Sequence, residues 1–290
     1  MNKGGTVIRT RAIVFSDLDG TLLDHHDYGF DAAQPALQRL KQLGYELILS
    51  TSKTFAELLP LQKQLQIHAP LIVENGAGIY IPNHYFSSSV DIAALTGLRV
   101  DNSHGDYQAF RLAQSRSHWL QLLEQQRSAF PHVWQGFSTL GSAGISAVTG
   151  LSEADARLAN CREFSEPLLW QGDEAQLQRF TDVMQQHGAN VVKGGRFVHV
   201  SGACSKGIAL KWLMGVYQKV YPQPLVSIAA GDGDNDIEML DAADYALLVR
   251  SPVNDLPQLK RSDGLFISTA CGPAGWNQGM QQIFSQLQED

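Results

Sequence analysis

Two apolar runs, near opposite ends of the chain, each break off into carboxylates. "AIVFSDLDGTLLD" (residues 12–24) places Asp17 and Asp19 just after Ile13, Val14 and Phe15, and "LVSIAAGDGDNDIEML" (residues 225–240) places Asp232, Asp234 and Asp236 after a similar run. A buried strand accounts for the β-branched and aromatic residues. It does not account for acids that repel one another. In open α/β sheets the carboxyl edge of the strands is where ligands bind, and residues two apart on a strand face the same side. Both carboxylates of the first run can therefore reach one site, and two acidic strand ends in one sheet can share it.

The intervening pattern supports such a sheet. "AIVF", "YELILST" and "LIVE" read as strands, separated by helices at "DAAQPALQRLKQLG" and "FAELLPLQKQL". In the first helix Asp31 is the expected cap, Pro35 falls in the first turn and Gly44 marks the end. The same alternation returns at the other end in "SKGIALKWLMGVYQKV", "LVSIAA", "NDIEMLDAA", "YALLV" and "LFIST". This is the pattern of a Rossmann-like parallel α/β sheet with right-handed crossovers. Between about Pro82 and Ser201 it changes: strand-like "GISAVTG", "PLLW" and "RFVHV" are interleaved with helical "EADARLANCREF" and "DEAQLQRFTDVMQQHG". The expected organisation is a core from residues 1–82 and 202–290, with 83–201 inserted as an α+β domain.

Composition narrows the function classes. A net charge of -7 over 290 residues, with no compensating basic block, argues against a nucleic-acid binder. The three cysteines, Cys161, Cys204 and Cys271, are widely spaced and form neither a disulfide framework nor a CxxC metal pair. No apolar run reaches the length of a membrane span or a secretory core. A cytoplasmic protein acting on a small molecule is the expectation.

The acidic strand ends suit a hard divalent cation such as Mg²⁺, which prefers oxygen ligands. The competing reading is a capping Asp with an exposed turn Asp. "DGDND" also matches the start of a calcium loop, but Ile237 and Ala243 stand where that loop needs Gly and Glu. In "LILSTSKTFAEL" a strand ends in hydroxyls and a lysine before a helix. Thr51, Ser52 and Lys53 can cradle a phosphate oxygen, although a plain helix cap explains a hydroxyl equally well. Gly20 permits a tight turn and Thr21 offers a hydroxyl. Lys206 opens a helix; it is either an ordinary surface lysine or a cation that balances carboxylates and a transferring phosphoryl group.

Asp17-Leu-Asp19-Gly-Thr21, the strand-ending Thr51, Lys206 and Gly231-Asp232-Gly-Asp-Asn235-Asp236 resemble, in order, the four motifs of the haloacid dehalogenase superfamily of phosphohydrolases. The insertion between the second and third motifs looks like a C2-type cap. "VENGAGIYIP", "GFSTL", "AVTGLSEADARLANCREFSEPLLW" and "GGRFVHV" extend the similarity to the mannosyl-3-phosphoglycerate phosphatases over nearly the whole chain.

The resemblance implies a Mg²⁺-dependent phosphatase acting on a phosphorylated sugar or glycosyl-glycerate. Asp17 would be the nucleophile, forming an aspartyl-phosphate, and Asp19 the general acid and base. Asp17, the backbone carbonyl of Asp19, Asp232 and Asp236 would serve the metal, and Thr51 and Lys206 the phosphoryl oxygens, with Asn235 in support. For the remainder of the substrate the candidates are Lys193, Arg196 and His199, with Glu74 and Asn75 at the entrance to the site; ordinary solvated edge residues are the alternative for the first three. Arg162 is expected to pair with Glu163 or Glu166. Rival assignments are a glucosyl-3-phosphoglycerate or other sugar-phosphate phosphatase, a phosphomutase, and a receiver domain, which would be far shorter. A dinucleotide-binding domain would need G-x-G-x-x-G where "DLDGTL" stands.

Overall fold

The computed structural model describes residues 11–194, 197–253 and 255–289. Its strands, in chain order, are β1 (Arg11–Ser16), β2 (Glu46–Ser50), β3 (Leu71–Val73), β4 (Gly78–Pro82), β5 (Val100–His104), β6 (Tyr107–Arg111), β7 (Trp134–Gly136), β8 (Glu166–Trp170), β9 (Asn190–Gly194), β10 (Phe197–Ser201), β11 (Leu225–Gly231), β12 (Tyr245–Arg250) and β13 (Leu265–Cys271). The chain divides into two compact units. One is built from residues 11–51, 82–98 and 206–289, the other from 52–81 and 99–205.

The first unit carries the parallel order β13-β12-β11-β1-β2. Its strands are apolar on both faces because helices cover them, as parallel sheets require; Ala12 through Phe15 and Ile228 through Ala230 are fully buried. The helix Gln34–Leu43 has Pro35 in its first turn and ends at Gly44 in the left-handed region, as expected from its sequence. Asp31 does not cap it. Residues Asp31–Ala33 form a 3-10 turn of their own, and Ala33 precedes the helix with no side-chain cap. The helix Gly272–Glu289 buries Trp276, Met280, Ile283 and Phe284.

The second unit contains β3-β4-β6-β5, in which β3 pairs antiparallel with β4 and β5 with β6. "LIVE" is thus a strand, but its partner β4 runs the opposite way. The unit also holds an antiparallel sheet β7-β8-β10-β9, packed on an aromatic core of Trp119, Phe130, Trp134 and Phe180. "GISAVTG" is not a strand. It lies in the helix Phe137–Thr149, where Phe137 and Ile145 pack on Ala156 and Ala159 of the helix Glu153–Asn160. The local apolar alternation is too short to distinguish a strand from a helix face, and this helix-on-helix contact decides it. Among the described residues no helix is long and apolar enough to cross a membrane.

Candidate active site

In the first unit the two acidic strand ends meet. β1 and β11 pair in parallel with Ser16 opposite Ala230, so both strands stop at one level. The Asp17 amide then donates to the Ala230 carbonyl at 2.9 Å. Beyond that level Asp17, Asp232 and Asp236 converge, with one oxygen of each within 4.8 Å of the others. All three are buried.

Lys206 supplies the positive charge. Its ammonium is fully buried and donates to Asp17 Oδ1 at 2.5 Å and to Asp236 Oδ1 at 2.7 Å. Burial alone would lower the lysine, but Asp17 and Asp236 outweigh it and hold the ammonium above its ordinary value. The lysine therefore keeps its proton. The helix Lys206–Val220 starts this deep because Gly207 lets it press on the backbone of Glu238; a Cβ there would stand 2.5 Å from the Glu238 carbonyl oxygen.

The remaining contacts fix the carboxylates in place. The second oxygen of Asp236 accepts from the amides of Asp232 and Gly233, each at 3.1 Å. The Thr21 hydroxyl lies 3.1 Å from Asp232 Oδ1 and 3.4 Å from Asp17 Oδ2, bridging the two halves. Burial and then repulsion from Asp17 raise the Asp232 carboxyl, against hydrogen bonds from Ser251 and Thr21. Burial raises Asp236 too, opposed by Lys206. The carboxylates thus carry more negative charge than one lysine balances.

Thr51 is buried directly after β2, at the same edge of the parallel sheet. The Asp19 side chain does not belong to the three-carboxylate group; it is half-buried in the tight turn after β1. Asn235 is exposed in the 3-10 turn Asp234–Asp236. Gly20 has φ +80°, and a Cβ on it would come within 2.6 Å of Asp232 Oδ2. Two residues of this site were not singled out from sequence. The Trp276 indole donates to Ser16 Oγ at 3.0 Å, and Ser16 Oγ donates to the Asp17 carbonyl at 2.7 Å, tying the first motif to the C-terminal helix.

The other candidates belong to the second unit. Glu74, expected at an entrance, is buried. Its carboxylate accepts from the amides of Glu163 (2.7 Å) and Phe164 (3.2 Å) and from the Ser165 hydroxyl (2.5 Å). Arg162 pairs with this Glu74 at 3.5 Å rather than with Glu163 or Glu166. Glu163 is taken by Tyr80 and His104, and Glu166 by Arg116. Ser52, Lys53 and Asn75 are half-buried. Lys193 is exposed and sits 3.4 Å from Glu174, the geometry of a solvated surface pair. Burial, with the Arg162 guanidinium adding to it, pushes His199 down to about 3, so its ring is neutral. Arg196 lies outside the described residues.

Known proteins resemble this chain over most of its length. The description of haloacid dehalogenase-like hydrolases matches residues 14–95. A glucosyl-3-phosphoglycerate/mannosyl-3-phosphoglycerate phosphatase of Methanococcoides burtonii is 35% identical over 94% of this chain and 97% of its own length. The chain belongs to this family of haloacid dehalogenase-like hydrolases. A second relative of the same name, from Persephonella marina, is 31% identical over 95% of this chain and 98% of its own. Among solved structures, a phosphatase of the same superfamily from Bacteroides thetaiotaomicron superposes with a TM-score of 0.63 at 16% identity, covering 99% of this chain and 98% of that one. At that identity the likeness is one of fold.

Proposed function

We propose that the chain hydrolyses mannosyl-3-phosphoglycerate to mannosylglycerate and phosphate, with the glucosyl analogue as a second substrate because the relatives carry both names. That it is a phosphomonoester hydrolase follows from its family. The observation that carries the mechanism is the buried group of Asp17, Asp232 and Asp236 around Lys206 at the carboxyl edge of a parallel sheet.

A divalent cation fits that group. Its donors are all hard oxygens, Lys206 balances only part of their charge, and Asp232 is raised by burial and then by repulsion from Asp17. Asp17, Asp232 and the Asp19 carbonyl would hold Mg²⁺, with Asp236 bracing Asp232 and Lys206. When bound, Mg²⁺ polarises a phosphoryl oxygen and neutralises charge on the transferring group.

The chain's own residues carry the steps. An Asp17 carboxylate oxygen attacks phosphorus as the bond to the ester oxygen breaks, and the leaving alkoxide takes a proton from the Asp19 carboxyl. Asp19, now ionised, removes a proton from water, which attacks the aspartyl-phosphate and releases inorganic phosphate. Lys206 keeps Asp17 aimed and balances developing charge, the dominant contribution in phosphoryl transfer. Thr51 and the Ser52–Lys53 segment that follows it hold phosphoryl oxygens. For the remainder of the substrate the inserted segment offers Lys193 and Arg196, with His199 on the opposite face of the strand from Arg196 in an alternating pattern.

The test is a phosphate-release screen with Mg²⁺ over mannosyl- and glucosyl-3-phosphoglycerate and simple sugar phosphates. Highest kcat/KM on a glycosyl-3-phosphoglycerate is expected. Turnover of sugar phosphates alone would remove the narrow substrate and keep the phosphatase class.

A further inference from the structure

The second unit holds a buried charged pair for which the reaction as derived has no use. Glu74 and Arg162 are both almost fully buried, with side-chain exposures of 1% and 7%. Buried ion pairs contribute little net stability for their desolvation cost. This one also sits on an unfavourable backbone: Glu74 (φ 48°), Asn75 (φ 58°) and Gly76 (φ 90°) are consecutively left-handed. Non-glycine residues held there cost about 1–3 kcal/mol each and persist where the surroundings over-determine them.

What the arrangement achieves is visible in its hydrogen bonds. The left-handed turn aims the Glu74 amide at the Lys53 carbonyl, 3.0 Å away. Two guanidinium nitrogens of Arg162 donate to the Ser52 carbonyl at 3.2 and 3.1 Å, and one also reaches Ser165 Oγ at 3.0 Å. The Glu74 carboxylate orients Arg162 directly and through Ser165, and it holds the backbone at 163 and 164. One residue further on, Thr54 caps the helix Phe55–Leu65 in a reciprocal capping box with Glu57, and its hydroxyl donates to the Leu158 carbonyl. Both carbonyls of the Ser52–Lys53 segment are thereby fixed by one pair of side chains and one strained turn. That segment is peptide-bonded to Thr51.

We propose that Arg162, oriented by Glu74, is a positioning residue for phosphoryl binding: it sets the Ser52–Lys53 peptide and so the polar groups that follow Thr51. This rests on the phosphatase reading above. "VENGAG", "REFSEP" and "STSKT" are then parts of one device, the first two serving the third. The Arg162 Nε–H is buried with no partner among the described residues, so direct contact with the glyceryl end of the substrate is the competing role.

The experiment compares wild type, Arg162→Lys and Glu74→Gln. Each is assayed for kcat and KM on a glycosyl-3-phosphoglycerate and on para-nitrophenyl phosphate, which has no glyceryl or sugar group, and for inhibition by inorganic phosphate. Wild-type turnover of the aryl phosphate tests the phosphatase reading separately. A misplacement on the order of 1 Å costs about 100-fold. Folded Arg162→Lys is therefore expected to lose about 10- to 100-fold in kcat/KM on both substrates and to bind inorganic phosphate more weakly, with Glu74→Gln changing in the same direction. A loss confined to the glycosyl substrate would overturn positioning in favour of direct contact. A lowered Tm with unchanged kcat and phosphate inhibition, or failure of both variants to fold, would reduce the pair to a structural role.

Discussion

Lys206 Nζ lies 2.5 Å from Asp17 Oδ1, joining the start of a helix to the end of the first strand inside a fully buried contact. The same ammonium holds Asp236 at 2.7 Å. One lysine thus bridges two carboxylates from opposite ends of the sequence.

Lys206→Met removes the cation and leaves Asp17 and Asp236 buried without it. Breaking a buried pair from one side costs about 3–5 kcal/mol. Urea unfolding without divalent cation should show that loss, and kcat should fall at least about 100-fold, the scale of one electrostatic donor. Wild-type stability in the variant would mean that the lysine is not carrying the charge balance.

Gly20→Ala tests the close approach within the site. The backbone there is left-handed, and the new methyl would meet Asp232 Oδ2 at 2.6 Å. A stability loss of about 1–3 kcal/mol is expected from the strained conformation. Binding of Mn²⁺, followed by its electron paramagnetic signal, should weaken more than tenfold as Asp232 is displaced. Undiminished Mn²⁺ binding would place the cation elsewhere.

These site features were largely legible because their signals are local. A buried strand that breaks into carboxylates identifies itself, and two of them predict a shared edge. The Ser16–Trp276 bond was not legible, since its partners are 260 positions apart and neither residue type marks a site. The burial of Glu74 is hidden in the sequence for a similar reason. Its donors come from residues 163–165, and the left-handed turn that buries it has no sequence signature beyond Asn75 and Gly76. "GISAVTG" is ambiguous because seven residues of mixed apolar spacing fit either period, and the packing of Ile145 on Ala156 and Ala159 makes it a helix face.

His199 gives a pH prediction away from the carboxylates. Burial and Arg162 push it from 6.5 down to about 3, so between those values the unfolded chain binds a proton that the folded protein refuses. Stability therefore falls as pH drops from about 6.5 towards 3, by at most about 1.4 kcal/mol per pH unit from this group, and is unaffected by it above about pH 7.5. Unfolding free energies of wild type and His199→Gln over this range should differ in slope, with the variant shallower. Identical slopes would show that the imidazole titrates normally.

The central claim is that phosphorus is transferred to Asp17. Rapid acid quench of a single turnover with ³²P-labelled substrate, followed by borohydride reduction and peptide mapping, reads that transfer directly. Transient label is expected on the peptide carrying Asp17, with conversion of Asp17 to homoserine on reduction, and neither label nor turnover in folded Asp17→Asn. Phosphate release by folded Asp17→Asn at the wild-type rate, or wild-type turnover with no label on that peptide at any quench time, would contradict it.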